Sequence, residues 1–205
     1  MAQDQRRGKK PSEGKLLYHI TRLDNLPSIL KDGLLPRAEL ERSKTGFADI
    51  ADQGILSKRK EYQVNLSECV PFHFFAKTPF DGDVCRKYGA ENMAIITIPR
   101  KLHENNDFYI IPSHPLDREE PDIYPYDKGF SLISWEILDL DRNFRDYHIR
   151  EVKLACMAEC VAQYRFPPEC FAVVYLPTQA AYEFVKQMDG FQRVKNWKVA
   201  RYMFP

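Results

Sequence analysis

No stretch of the 205-residue chain approaches the roughly eighteen consecutive apolar residues that a membrane-spanning helix needs, and the N-terminus lacks the apolar core of a secretory signal. We expect a cytoplasmic protein with no membrane partner. There is no Gly-x-Gly-x-x-Gly stretch, so a Rossmann dinucleotide site is not supported. The cysteines, Cys69, Cys85, Cys156, Cys160 and Cys170, are odd in number and stand in apolar or helical context, which argues for reduced, buried thiols and against a disulfide framework. Cys156 and Cys160 read as neighbours on one helix face, but a metal would ask for two further ligands. His103, His114 and His148 lack that spacing, so no metal is expected.

Excess charge is also missing. Thirty Lys and Arg face 29 Asp and Glu, a net +1 that does not announce a nucleic-acid binder. The distribution is less even than the sum. Asp117, Glu119, Glu120, Asp122, Asp127, Glu136, Asp139 and Asp141 make the middle acidic, while Arg6, Arg7, Lys9, Lys10 and Lys15 open the chain and Lys186, Arg193, Lys195, Lys198 and Arg201 close it. Basic ends brought to one side of a fold could track a phosphate backbone; as solvated termini they would bind nothing.

What remains is the composition of one globular domain with a core of its own. Residues 1–14 are polar and aperiodic and read as a flexible lead-in, leaving 15–205 as a single domain. Leu16 to Ile20 reads as a strand, and Asp24 to Lys31 as a helix capped by Asp24 and stopped by Gly33. Unpaired first-turn amides there would suit an anionic ligand. A short helix is expected from about Asp52 to Glu61, placing Arg59 one turn after Ile55.

Further along, Glu68 to Lys77 alternates, with Val70, Phe72 and Phe74 on one face and His73 on the other. Thr78 to Gly89 is a turn and a short helix, Ala94 to Ile98 a buried strand, and Asp107 to Ile111 another. From Pro99 to Phe144 an irregular, acidic excursion carries Tyr124, Tyr126, Phe130 and Trp135, which could stack on unpaired bases or pack on the core. Near the end come a strand over Phe171 to Leu176, a helix from the cap Thr178 to about Met188, and a closing strand within Val194 to Phe204.

Glu159 is the most telling single residue. It stands among Cys156, Ala158, Cys160 and Val161, company in which an ionised carboxylate is costly unless paired or functional.

Four stretches in order carry a resemblance: Tyr18-His19-Ile20-Thr21 through Asp24-Asn25-Leu26 to Ile29-Leu30; Ile50-Ala51-Asp52 with Arg59; Val70-Pro71-Phe72-His73-Phe74; and Cys156 to Cys160 leading into a strand. Together, from about Leu17 to about Tyr175, they resemble the DarT family of ADP-ribosyltransferases, toxins that use NAD to modify bases of single-stranded DNA. The resemblance implies a mixed α/β (α+β) fold, two packed, mostly antiparallel sheets with NAD in the cleft between them. It implies Glu159 as catalytic carboxylate, Arg59 on the phosphates or the acceptor base, His19 and Thr21 on the NAD ribose and nicotinamide, and Asn25 in the cofactor pocket. His73, where many members carry Tyr, would pack its ring on nicotinamide.

The implied acceptor is thymine or guanine of single-stranded DNA, and the implied partner a macrodomain antitoxin; the chain itself is expected to be a monomer. Transfer to RNA, protein or a small molecule is the second reading, and a non-catalytic nucleotide-binding module, which would release no nicotinamide, the third.

Overall fold

In a computed structural model that describes residues 10–50, 65–115 and 121–205, eight strands form two four-stranded sheets. The strands are β1 (Leu16–Arg22), β2 (Val70–Phe72), β3 (Met93–Pro99), β4 (Phe108–Ile111), β5 (Tyr124–Pro125), β6 (Glu159–Ala162), β7 (Val173–Leu176) and β8 (Trp197–Val199). The first sheet has the order β1-β3-β7-β8 and the second β2-β6-β4-β5. Every pairing is antiparallel except β7 with β8. The helices are α1 (Leu26–Asp32), α2 (Arg37–Arg42), α3 (Pro79–Tyr88), α4 (Tyr126–Leu132), α5 (Trp135–Leu138), α6 (Arg150–Ala155) and α7 (Gln179–Lys186). The expected mixed fold of two mostly antiparallel sheets is thus what the chain adopts. No helix of the described residues is long and apolar enough to cross a membrane.

Side-chain alternation explains why two sheets pack here. Along β3, Ala94, Ile96 and Ile98 enter the main core, while Met93 and Ile95 join Ile20, Val84, Cys85 and Phe204 on the other face. The second sheet divides its residues the same way: Val70, Phe72, Ile110, Cys160 and Ala162 face the main core, and Val161, Ile111 and Cys69 the smaller cluster behind. Both sheets are therefore covered on two sides, which is why β3 is a continuous apolar run. An antiparallel bridge joins them: the Tyr18 N–H donates to the His73 carbonyl at 2.9 Å and the His73 N–H to that of Tyr18 at 2.8 Å.

Several expected boundaries move, each for a local reason. β2 spans three residues because His73 turns to the other sheet and Lys77 takes φ +67°, bending the chain into the Thr78 cap of α3. Asp24 is no helix cap: it pairs with Arg22, and a 3-10 turn over Leu23–Asn25 precedes α1. Gly33 does stop α1, at φ +93°, where an added Cβ would lie 2.7 Å from the Phe166 carbonyl oxygen. The closing strand shrinks to β8, followed by a 3-10 turn at Arg201–Met203. Cys156 and Cys160 share no helix face, since α6 ends at Ala155 and Cys160 belongs to β6; none of the five cysteines is in a disulfide.

The described part of the irregular excursion is more ordered than its composition suggests. Phe74, Phe130 and Trp135 pack edge-on or tilted around the buried Arg100, whose guanidinium lies 5.2–5.9 Å from their rings. Tyr126 stacks on His103 at 3.8 Å. Tyr126, Phe130 and Trp135 are thus used by packing and not held open for bases. Arg100 also donates to the carbonyls of Pro11, Ser12, Leu16 and Phe74. Of the lead-in expected over residues 1–14, the described part from Lys10 includes a 3-10 turn at Pro11–Glu13 that Arg100 and Asp139 hold in place.

Candidate active site

A cleft of about 330 Å³ opens between the sheets. Its walls come from β1 (His19, Thr21), from Asn25, Ser28 and Ile29 around α1, from the segment Phe47 to Ile50, from Pro71 and His73, from Phe80 and Asp83 of α3, and from Lys153, Met157 and Glu159. Five of the six residues singled out in the sequence, His19, Thr21, Asn25, His73 and Glu159, therefore meet at one cavity. Arg59, the sixth, and the helix expected around it lie outside the described residues.

His19 is placed by its position in β1, opposite Ile96 of β3. Its Nδ1 lies 2.9 Å from the Pro71 carbonyl oxygen on β2, and because a carbonyl can only accept, Nδ1 carries the proton. Burial, reinforced by nearby His73 and opposed by the Pro71 bond, lowers its pKa from 6.5 to about 4. At neutral pH the ring is an uncharged tautomer whose Nε2 can accept a hydroxyl.

Thr21 and Asn25 form a unit. The Asn25 amide nitrogen donates to Thr21 Oγ1 at 3.1 Å and to the Ala48 carbonyl at 2.9 Å, while its oxygen accepts the Ala48 N–H at 2.6 Å. Asn25 thereby spends most of its hydrogen-bonding capacity within the protein, and Thr21 keeps a hydroxyl proton to donate. Arg37 seizes the residues on either side, forming an ion pair with Asp49 and lying 4.9 Å over the ring of Phe47. Three consecutive residues of this wall are thus held from the 3-10 turn before α1 and from α2.

The N-terminal turn of α1 offers less to an anion than its sequence suggests. The Leu26 N–H is already bonded to the Leu23 carbonyl, and Pro27 has none. Lys153, which no motif or spacing in the sequence marks, lines the cleft and brings a cation to it; Arg37 and the Phe47 to Asp49 wall are equally unmarked in the sequence.

Glu159 is the first residue of β6, paired in register with Ile111, and only 6 % exposed. His73, 8 % exposed, directs Nδ1 to the Ala158 carbonyl at 3.1 Å. Asp81, buried beside it, has its carboxyl pushed up by desolvation, with His73 the largest opposing influence. Asp81 and Thr78 form a reciprocal capping box that starts α3. Among the described residues no group of three or more His, Cys, Asp or Glu could hold a metal ion.

Comparison with known proteins agrees with this geometry. The family described as "DarT: ssDNA thymidine ADP-ribosyltransferase, DarT" matches residues 18–204. A DNA ADP-ribosyl transferase–DNA ADP-ribosyl glycohydrolase fusion protein of Thermosipho africanus is 48 % identical over 44 residues, 22 % of this chain and 11 % of the fusion. Among solved structures, T. africanus DarTG in complex with ADP-ribose superposes with a TM-score of 0.77 at 22 % identity, covering 93 % of this chain and 51 % of that one. Thermus sp. 2.9 DarT in complex with ADP-ribosylated ssDNA also gives 0.77, at 19 % identity over 98 % of this chain and all of that one. The chain therefore spans about half of the T. africanus protein, and at these identities the superpositions speak to the fold.

Proposed function

This chain belongs to the DarT family of ssDNA thymidine ADP-ribosyltransferases, and from that membership we propose that it transfers ADP-ribose from NAD to a thymidine base in single-stranded DNA. The observation that carries the reading is the convergence of a neutral imidazole, a threonine hydroxyl and a buried glutamate on one cleft between the sheets.

The residues fit a dinucleotide. Phe47, Phe80 and Met157 give the cleft apolar surface for flat rings, and the His19 Nε2 and Thr21 hydroxyl present one acceptor and one donor suited to a ribose or a carboxamide. Lys153 brings a positive charge for phosphate. NAD bound here would supply an activated ADP-ribosyl group with nicotinamide as leaving group.

Glu159 is proposed to act on both sides of the transfer: its carboxylate stabilises positive charge developing on the sugar, and it takes up the proton that the attacking imide nitrogen of thymine gives up. His19 and Thr21 orient the sugar, and Asn25 works through Thr21 and the Ala48 wall. Arg59 is assigned to the phosphates or the acceptor base on the resemblance alone. Because a relative joins its transferase to a DNA ADP-ribosyl glycohydrolase in one chain, we propose that an antitoxin activity removing the modification accompanies this one, and that the protein is a toxin.

Mass spectrometry of short single-stranded DNAs of defined base content, incubated with protein and NAD, tests this. We expect one added ADP-ribosyl group on oligonucleotides containing thymine and none without it. Modification that follows guanine, or RNA oligonucleotides, would move the acceptor; no nicotinamide release under any condition would leave only a binding module.

A further inference from the structure

His73 stands where the two sheets meet, and its backbone and side chain are both engaged. Its backbone makes the double bridge to Tyr18, so the residue cannot shift without parting β1 from β2. Its ring reaches across to β6, where Nδ1–H donates to the carbonyl of Ala158, the residue just before Glu159. The Ala158 N–H is fixed as well, on the carbonyl of Ala155 at the end of α6. Near the ring lie Phe80, its centroid 6.1 Å away and tilted by 44°, and the buried carboxyl of Asp81. His73 lines the cleft and is 8 % exposed, with its Nδ1 committed to Ala158.

We propose that His73 is a positioning residue for Glu159, acting through the Ala158 carbonyl rather than by laying its ring on the co-substrate. The Ala158 carbonyl belongs to the peptide plane that leads into Glu159. His73 holds that plane by its carbonyl and the Ala155 carbonyl holds the preceding plane by the Ala158 N–H, so the backbone on both sides of the Ala158 Cα is fixed and with it the direction in which the glutamate side chain leaves β6. Asp81, which starts α3 in the capping box with Thr78, is buried near the imidazole, so the cap of α3, the sheet junction and the approach to Glu159 form one connected set. A carboxylate that must meet a developing charge loses much of its effect when displaced by about 1 Å, which costs on the order of a hundredfold in rate. The assignment rests on the transferase reading for the role of Glu159, and on the hydrogen bond itself for the rest.

Two variants separate positioning from ring stacking. His73→Phe keeps a flat ring and removes the donor; His73→Asn removes the ring and keeps a donor close to the Nδ1 position. Positioning predicts that His73→Phe lowers kcat roughly tenfold or more with KM for NAD within about threefold, and that His73→Asn recovers most of the loss. Stacking predicts the reverse, and retained kcat in His73→Phe, or a raised KM confined to His73→Asn, overturns the proposal. A readout independent of turnover accompanies the kinetics. The carbonyl carbon resonance of Ala158 in the NAD-free protein should move in His73→Phe and return toward its original position in His73→Asn. Should the wild-type protein not turn over NAD, the transferase reading fails by itself, and an unmoved Ala158 resonance in a folded His73→Phe variant would overturn the positioning role.

Discussion

His19 and Glu159 face one cleft from different sheets, the imidazole on β1 and the carboxylate at the start of β6. Neither strand could present both groups, because β1 pairs with β3 and β6 with β2 and β4. The site exists only where the sheets approach, at the Tyr18–His73 bridge. The cleft brings together two unlike burials: an imidazole kept neutral, and a glutamate 6 % exposed that lines the same cavity.

Replacing Glu159 by Gln should therefore remove transfer and spare binding. We expect turnover to fall by roughly 10²–10⁴-fold, the range for loss of a general acid or base, with NAD affinity within a few fold. Nicotinamide release and calorimetric titration with NAD measure the two quantities separately. Turnover retained in the Gln variant would remove the mechanism.

The depressed pKa of His19 makes a prediction about acid stability. The folded protein holds the ring near 4 against 6.5 in the unfolded chain. Protons therefore bind more readily to the unfolded state in this interval. The contribution of neutral His19 is full above about pH 6.5 and is lost as pH falls toward 4. Urea denaturation of wild type and His19→Gln at several pH values should show the two curves converging between these limits, beneath the shared titration of the carboxylates.

Asn25→Ala deletes three hydrogen bonds and leaves both polar groups of Ala48 without their partner. A loss of about 1–3 kcal/mol is expected from the unsatisfied groups, together with weaker NAD binding as the Phe47 to Asp49 wall loosens. Denaturant midpoints and NAD titration check both. Unchanged affinity alongside lowered stability would restrict Asn25 to folding.

Gly33→Ala tests the end of α1. At φ +93° and ψ 173° the backbone occupies a region that side chains avoid, and the new Cβ would meet the Phe166 carbonyl oxygen at 2.7 Å. The Leu34–Phe166 bridge would be forced apart. We expect about 1–3 kcal/mol of destabilisation, visible as a lowered thermal midpoint.

Much of the fold could be read from the chain because its strongest signals are local. The apolar run of β3, the alternation of Val70, Phe72 and Phe74, the Thr178 cap and the glycine stop at Gly33 all express backbone and burial preferences that act over a few residues. Glu159 could be found for a related reason: a carboxylate among small apolar residues is costly to bury, and the cost itself is visible in sequence. What the sequence misplaced were long-range outcomes. The strand expected as far as Lys77 gives way after Phe72 because β1 claims the backbone of His73, and the aromatic residues of the acidic middle gather on Arg100 instead of standing open.

The amino-acid order alone thus settled which residue types were at hand: an imidazole, a hydroxyl, an amide and an embedded carboxylate, each in a stretch with a readable local conformation. Only the packing of the two sheets decided that they would share a cavity, that Asn25 would hold a wall through Ala48, and that His73 would reach the carbonyl before Glu159. Such contacts join residues far apart along the chain, and no period of two or of 3.6 encodes them.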